Sequence, residues 1–181
     1  MRKLIVQELV TVDGYFAGPN GEIDWHNVDE EYGEYASRFL SGLDMLLFGR
    51  KTYQLLADYW PTAEGDFARR MNTIDKVVFS TTLTNADWPN TRLVAEHAIE
   101  EIKRLKDQPG KDLAVLGSGE LVGYLLSAGL IDEVQLTVIP VVLGKGKPLF
   151  GEGLARVQMQ LVESNTMKSG NVMLVYRPES L

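Results

Sequence analysis

The sequence predicts an α/β fold: a central, mostly parallel sheet with helices on both faces and an antiparallel edge at its C-terminal end. Three observations predict it. Short apolar runs alternate with amphipathic helical stripes through the first two-thirds of the chain, the signature of strand–helix–strand crossovers. Three of those runs end in glycine or hydroxyl residues, and beyond Asp132 only strand patterns remain. Counted along the chain, the patterns make about eight strands and four helices in a three-layer αβα arrangement, forming one domain over residues 1–181.

Residues 2–12 read as the first strand, which runs into Asp13-Gly14 and a long loop reaching Trp25. Gly18-Pro19-Asn20-Gly21 bars helix and regular strand from that loop, which is either a functional segment or a solvated connection. Tyr32, Tyr35, Ala36, Phe39, Leu40 and Leu43 recur at helical spacing. Met45-Leu46-Leu47-Phe48 is apolar throughout, as expected of a strand covered on both faces, and Gly49 closes it. A second helix follows to Trp60, with Pro61 at its end, and a short helical stretch spans Asp66–Met71. Lys76–Ser80 and Thr91–Ala95 read as strands, and Ile99, Ile102 and Leu105 mark a helix that Pro109-Gly110 terminates. Leu113–Leu116 enters Gly117-Ser118-Gly119, after which Leu121, Val122, Leu125 and Leu126 form another helical stripe ending at Gly129. Glu133–Ile139, Val157–Leu161 with apolar and polar residues alternating, and Asn171–Arg177 complete the strands.

Composition excludes several classes of function. The chain has no cysteine and only two histidines, His26 and His97, so thiol chemistry is absent and no metal is expected. A formal net charge of −7 argues against a nucleic-acid partner. Gln7, Glu8 and Asp13 interrupt the start of the chain before it can make a signal peptide, and no run reaches the roughly 20 apolar residues of a membrane span. The expected setting is cytoplasmic, without a membrane partner.

Gly49-Arg50-Lys51-Thr52, Ser80-Thr81-Thr82 and Gly117-Ser118-Gly119 each follow a buried strand. The carboxyl ends of parallel strands lie along one edge of a sheet, so these turns converge there, where ligands bind. Two of them open helices, whose free N–H groups attract anions. Glycine at 117 and 119 lets the backbone approach a pyrophosphate, and Arg50, Lys51, Ser80 and Thr81 supply donors for further phosphate oxygens. Each turn alone also reads as simple chain reversal or a solvated helix start. Gly117–Gly123 misses the spacing of the Rossmann fingerprint, and neither Gly144-Lys145-Gly146-Lys147 nor Gly49–Thr52 completes a Walker loop.

The order of elements resembles the dihydrofolate reductase superfamily over nearly the whole chain. Thr11-Val12-Asp13-Gly14 through Gly18 and Trp25 resembles that family's first strand and mobile active-site loop. Leu47–Tyr53 is similar to its Gly-Arg-x-Thr motif, and Val78–Thr81 to the strand end that contacts the adenosine 2′-phosphate. Val115–Leu121 resembles its pyrophosphate-binding glycine turn, with Ser118 breaking the usual triplet. Ile139–Phe150, through Gly144-Lys145-Gly146-Lys147-Pro148, resembles one branch, the C-terminal reductase domain of riboflavin-biosynthesis deaminase-reductases.

That resemblance implies an oxidoreductase that uses NADPH to reduce a small-molecule pyrimidine- or pteridine-type substrate. The activity it names is 5-amino-6-(5-phosphoribosylamino)uracil reductase, and it implies a homodimer. Glu34–Tyr53 is closer to dihydrofolate reductase itself, so a dihydrofolate or pteridine reductase is the alternative; a non-catalytic dinucleotide-binding module and an interaction protein are others. The cofactor residues implied are Ala17, Gly18, Gly49, Arg50, Lys51, Thr52, Ser80, Thr81, Thr82, Leu116, Gly117, Ser118, Gly119, Glu120 and Leu121. Family spacing from Trp25 implies the catalytic acid at Glu30, with Asp29 beside it and Thr137 supplying a strand hydroxyl to the carboxylate. Trp25 and Asp13 are the substrate-binding candidates. Asp29, Glu30, Glu31 and Glu34 read equally as an acidic helix start that favours the helix dipole. In an apolar pocket Glu30 would gain a raised pKa and become a proton donor, a role that exposure would remove.

Overall fold

The computed structural model describes residues 1–179; the last two residues of the expected 1–181 domain lie outside it. In chain order the elements are β1 (Leu4–Thr11), β2 (Tyr15–Ala17), α1 (Glu30–Ser41), β3 (Leu43–Gly49), α2 (Arg50–Tyr59), α3 (Asp66–Thr73), β4 (Asp75–Phe79) and β5 (Thr91–Val94). They continue with α4 (Ala98–Asp107), β6 (Asp112–Leu116), α5 (Gly119–Ser127), β7 (Glu133–Ile139), β8 (Lys147–Pro148), β9 (Met159–Thr166) and β10 (Val172–Pro178).

Eight strands form one sheet in the order β5-β4-β3-β6-β1-β7-β10-β9. From β5 to β7 every pairing is parallel, and β10 runs antiparallel to both β7 and β9. Helices α4 and α5 cover one face, where Ile102, Leu105, Val122 and Leu125 pack on Leu4, Val6, Val10, Val115 and Val134. The other face carries α1, α2 and α3, with Leu40, Tyr53 and Met71 against Leu46, Phe48 and Val78, and Tyr32 against Leu9, Ile139 and Met173. The predicted three-layer architecture with its antiparallel edge is therefore present.

Local chemistry explains the boundaries that matter for the site. Asp29 caps α1, its carboxylate accepting from the Tyr32 N–H at 2.8 Å, which satisfies one of the free donors of the first turn. β1 is buried along all eight residues, Gln7 and Glu8 included, because β6 and β7 flank it and helices cover both faces. Chain crossovers leave in opposite directions on its two sides, which makes the top of β1 the switch point of the sheet.

Four details depart from the sequence reading. Leu43, expected on the stripe of the first helix, is the first residue of β3. The stretch from Asp66 is a full helix, α3, which makes five α-helices among the described residues where about four were expected. β9 starts at Met159 rather than at residue 157, and seven of its eight residues are exposed where alternation was expected. As the outermost strand it has no helix over it, so its pattern records no buried face. The β2–β8 ribbon, of three and two residues, was not foreseen, since such short pieces carry no period. Among the described residues no helix is long and apolar enough to cross a membrane, and no group of three or more His, Asp or Glu side chains could hold a metal ion.

Candidate functional site

Because β3 and β6 are parallel neighbours, the turns that follow them meet. Ser118 joins them: its hydroxyl accepts from the Gly49 N–H at 2.8 Å and donates to Thr52 Oγ1 at 2.9 Å. Gly117 has φ +63°, and a Cβ there would lie 2.8 Å from the Thr52 side chain, so both conformation and space demand glycine. Ser118 itself sits at φ +68°, a conformation that costs about 1–2 kcal/mol for a residue with a Cβ and that its two hydrogen bonds offset. A Cβ on Gly119 would meet Phe16 at 3.0 Å and the Leu149 carbonyl at 3.1 Å.

Neither α2 nor α5 has a side-chain cap. Their first-turn N–H groups therefore open side by side at the carboxyl edge of the sheet, the arrangement that receives anionic oxygens. Arg50 and Lys51 begin α2; Arg50 reaches Gln54 at 3.3 Å, and Lys51 pairs with Glu120 at 3.7 Å across the two helix starts. Both contacts are exposed and can be exchanged for a ligand at small cost. The third turn follows β4, next to β3. There the Ser80 hydroxyl accepts from the N–H groups of Thr82 and Leu83 at 3.2 and 3.0 Å, while Thr81 and Thr82 are exposed. Ala17 and Gly18 lie at the end of β2, both buried, with Gly18 N–H bonded to the Glu22 carbonyl at 2.8 Å. Leu116, Glu120 and Leu121 flank the glycine turn.

The expected catalytic carboxylates are not gathered there. Glu30 is exposed in the first turn of α1, so the apolar surroundings that would make it a proton donor are missing. Asp29 is the cap of α1, and the Tyr32 N–H, followed by the Ser169 side chain, holds its carboxyl below its ordinary value. Thr137 is 1% exposed, and its hydroxyl has no partner among the described residues, so it does not hydrogen-bond either carboxylate. Asp13 is exposed and works as a clamp: it accepts from the Thr11 hydroxyl at 2.6 Å and from the N–H groups of Leu143 and Gly144 at 3.2 and 2.8 Å, tying the end of β1 to the following loop. Trp25 packs on the Tyr32–Ile139 cluster with its indole N–H on the Glu22 carbonyl at 3.2 Å. His26 stacks edge-on against it; burial pushes that imidazole down to about 4, which leaves it neutral at pH 7.

The sequence reading missed the carboxyl that is buried. Glu8 is 6% exposed in β1, beside the glycine turn; Leu9 N–H donates to its Oε1 at 3.2 Å, and Oε2 has no hydrogen-bond partner among the described residues. Burial pushes it up to about 8, with the Leu9 and Gly117 N–H groups pulling the other way. On the opposite face Gln7 Nε2 donates to the Tyr32 hydroxyl at 3.0 Å. A signal existed: a strand enclosed on both faces reads as an apolar run, and Gln7-Glu8 breaks it. Two concavities lie elsewhere, one of about 400 Å³ around Lys76, Trp88 and Arg92 at the opposite end of the strands, another of about 310 Å³ between α1 and β9–β10.

The sequence matches the RibD C-terminal domain family over residues 2–173. It is 36% identical over 180 residues to the uncharacterized protein YyaP of Bacillus subtilis, spanning 97% of this chain and 94% of that one. Among solved structures it is similar to the Thermotoga maritima diaminohydroxyphosphoribosylaminopyrimidine deaminase/5-amino-6-(5-phosphoribosylamino)uracil reductase, with a TM-score of 0.70 and 14% identity over 98% of this chain and 56% of that one. It is also similar to Enterococcus faecalis dihydrofolate reductase complexed with NADP(H) and RAB-propyl, with a TM-score of 0.66 and 15% identity over 98% and 97% of the two chains. At these identities the likeness to both structures is one of fold.

Proposed function

The chain belongs to the RibD C-terminal domain family, and on that premise we propose that it is an NADPH-dependent reductase of a pyrimidine- or pteridine-type substrate. The activity best matching the family is reduction of 5-amino-6-(5-phosphoribosylamino)uracil, which the Thermotoga relative carries in its name. The observation that carries the reading is the pair of uncapped helix starts joined through Ser118, with Gly117 and Gly119 leaving room that a Cβ would fill. Such a cradle fits a pyrophosphate. Arg50, Lys51, Ser80, Thr81 and Thr82 then serve the adenosine phosphate, and Ala17 and Gly18 border the cofactor from the β2 side. Reduced nicotinamide, when bound, supplies the hydride. The chain's own part is to orient the ring, exclude water and supply one proton.

A dinucleotide-binding module without turnover is the second reading, favoured by the exposure of Glu30 and the capping role of Asp29. Titration with NADPH and NADH followed by addition of the riboflavin-pathway pyrimidine, then dihydrofolate, separates the two. Turnover of one substrate establishes the reductase and names its branch; selective NADPH binding with no oxidation supports the module. A cytoplasmic setting and a homodimer belong to the same proposal, with sedimentation at a homodimer's mass as the check on the second.

A further inference from the structure

β6 pairs with β1 only as far as the Gln7–Leu116 register, and Gly117 then turns the chain away. β1 itself continues for four more residues beside β7, so a slot opens on its β6 side. Odd-numbered residues of β1 face β6, as the Lys3 carbonyl does in accepting from the Leu113 N–H. The Leu9 N–H therefore points into the slot, and there it meets the Glu8 carboxyl. An unpartnered Oε2 on a residue 6% exposed is costly unless something completes it.

We propose that the Glu8 carboxyl holds the carboxamide of the nicotinamide ring, Oε2 donating to the amide oxygen and Oε1 accepting from the amide nitrogen. This inference rests on the dinucleotide reading above. The strand order supports it: with the adenosine phosphate at the end of β4 and the pyrophosphate at the ends of β3 and β6, the next position along the sheet is β1, each step being about 4.8 Å. The remaining third of the dinucleotide reaches the slot. An undissociated carboxyl and a primary amide are complementary, each offering one donor and one acceptor. Oε1 has a second lone pair and keeps the Leu9 N–H.

The proton that the pairing needs is held by burial, which pushes Glu8 up to about 8. The Tyr32 phenol of α1 lies across β1 on the opposite face, raised mainly by its own burial and partly by Glu8. Leu116 and Gly117 border it on the β6 side, and Leu136 and Val138 belong to its side of β7; no charged neighbour contributes to its titration. Phe16 on β2 lies against the same turn. β2 is held to β8 by two register pairs.

Fluorescence titration of the full chain with NADPH between pH 6 and 9.5 tests the proposal. Wild-type affinity is expected to hold to about pH 7 and to fall about tenfold by pH 9.5 as the carboxyl proton is lost. Glu8→Gln keeps donor and acceptor without an acidic proton, so its affinity is expected to stay level through that interval. The reduced 3-acetylpyridine analogue of NADPH has a methyl group in place of the amide nitrogen, and wild type is expected to bind it several-fold more weakly. Glu8→Leu is expected to bind the two alike. Identical pH profiles for wild type and Glu8→Gln would overturn the role of Glu8 and leave the reductase reading standing, even if Glu8→Leu fails to fold. Absence of NADPH binding at every pH would overturn both.

Discussion

Single residues carry the joint between the two helix starts. Ser118→Ala is expected to cost about 1–3 kcal/mol in urea denaturation, because it strands the Gly49 N–H and removes the bond to Thr52 while leaving a residue of the same conformational cost at φ +68°. Gly117→Ala meets a positive φ and a Cβ contact at 2.8 Å together, and it should weaken NADPH binding more than Ser118→Ala does, by the same titration. Glu8 adds a pH dependence. Its carboxyl is raised in the folded chain from an ordinary 4.5 to about 8, so the folded state binds more protons than the unfolded state between those values. Stability contributed by the protonated form is full below about pH 4.5 and is lost as pH rises toward 8. Melting temperatures scanned over that window should fall in wild type, and Glu8→Gln should remove this part of the slope. Glycine and hydroxyl residues of the turns were legible in the sequence because their chemistry is local. Glu8 was not read as part of the site, because its burial depends on which strands flank β1, and that is decided by residues more than a hundred positions away.

At the scale of elements, α1 shows how one acidic segment can satisfy two readings in sequence and only one in structure. Asp29 and Glu30 are adjacent, but the helix start turns Asp29 onto its own backbone and Glu30 toward solvent. Asp29→Ala is expected to lower stability by about 1 kcal/mol through loss of the cap, measured by thermal or urea unfolding. Glu30→Gln should leave turnover within about twofold, since an exposed carboxyl lacks the environment for proton donation. Elements with a full period of burial matched their patterns, α5 throughout and α1 as far as Leu40, whereas Leu43 at the same helical spacing opens β3. β9 did not, because an edge strand open to water obeys no alternation, and β2 and β8 are too short to carry a period of their own.

For the whole molecule, the parallel order β4-β3-β6-β1 places three turns and one buried carboxyl along a single edge. Alternation of strand and helix patterns made the layers and the parallel core predictable, since a right-handed crossover leaves few other arrangements. Strand order was beyond the patterns, and strand order is what brings Glu8 beside Gly117 and leaves Glu30 outside. The same arrangement makes a simple demand on the protein in solution. Fluorescence titration of the purified chain with NADPH and NADH at pH 7 is the measurement to make, with the pyrimidine and dihydrofolate added afterwards. Saturable binding that favours NADPH, weakened by Gly117→Ala and followed by oxidation on adding one substrate, is the expected result. Failure of either dinucleotide to bind would contradict the reading of the paired helix starts as a cofactor site.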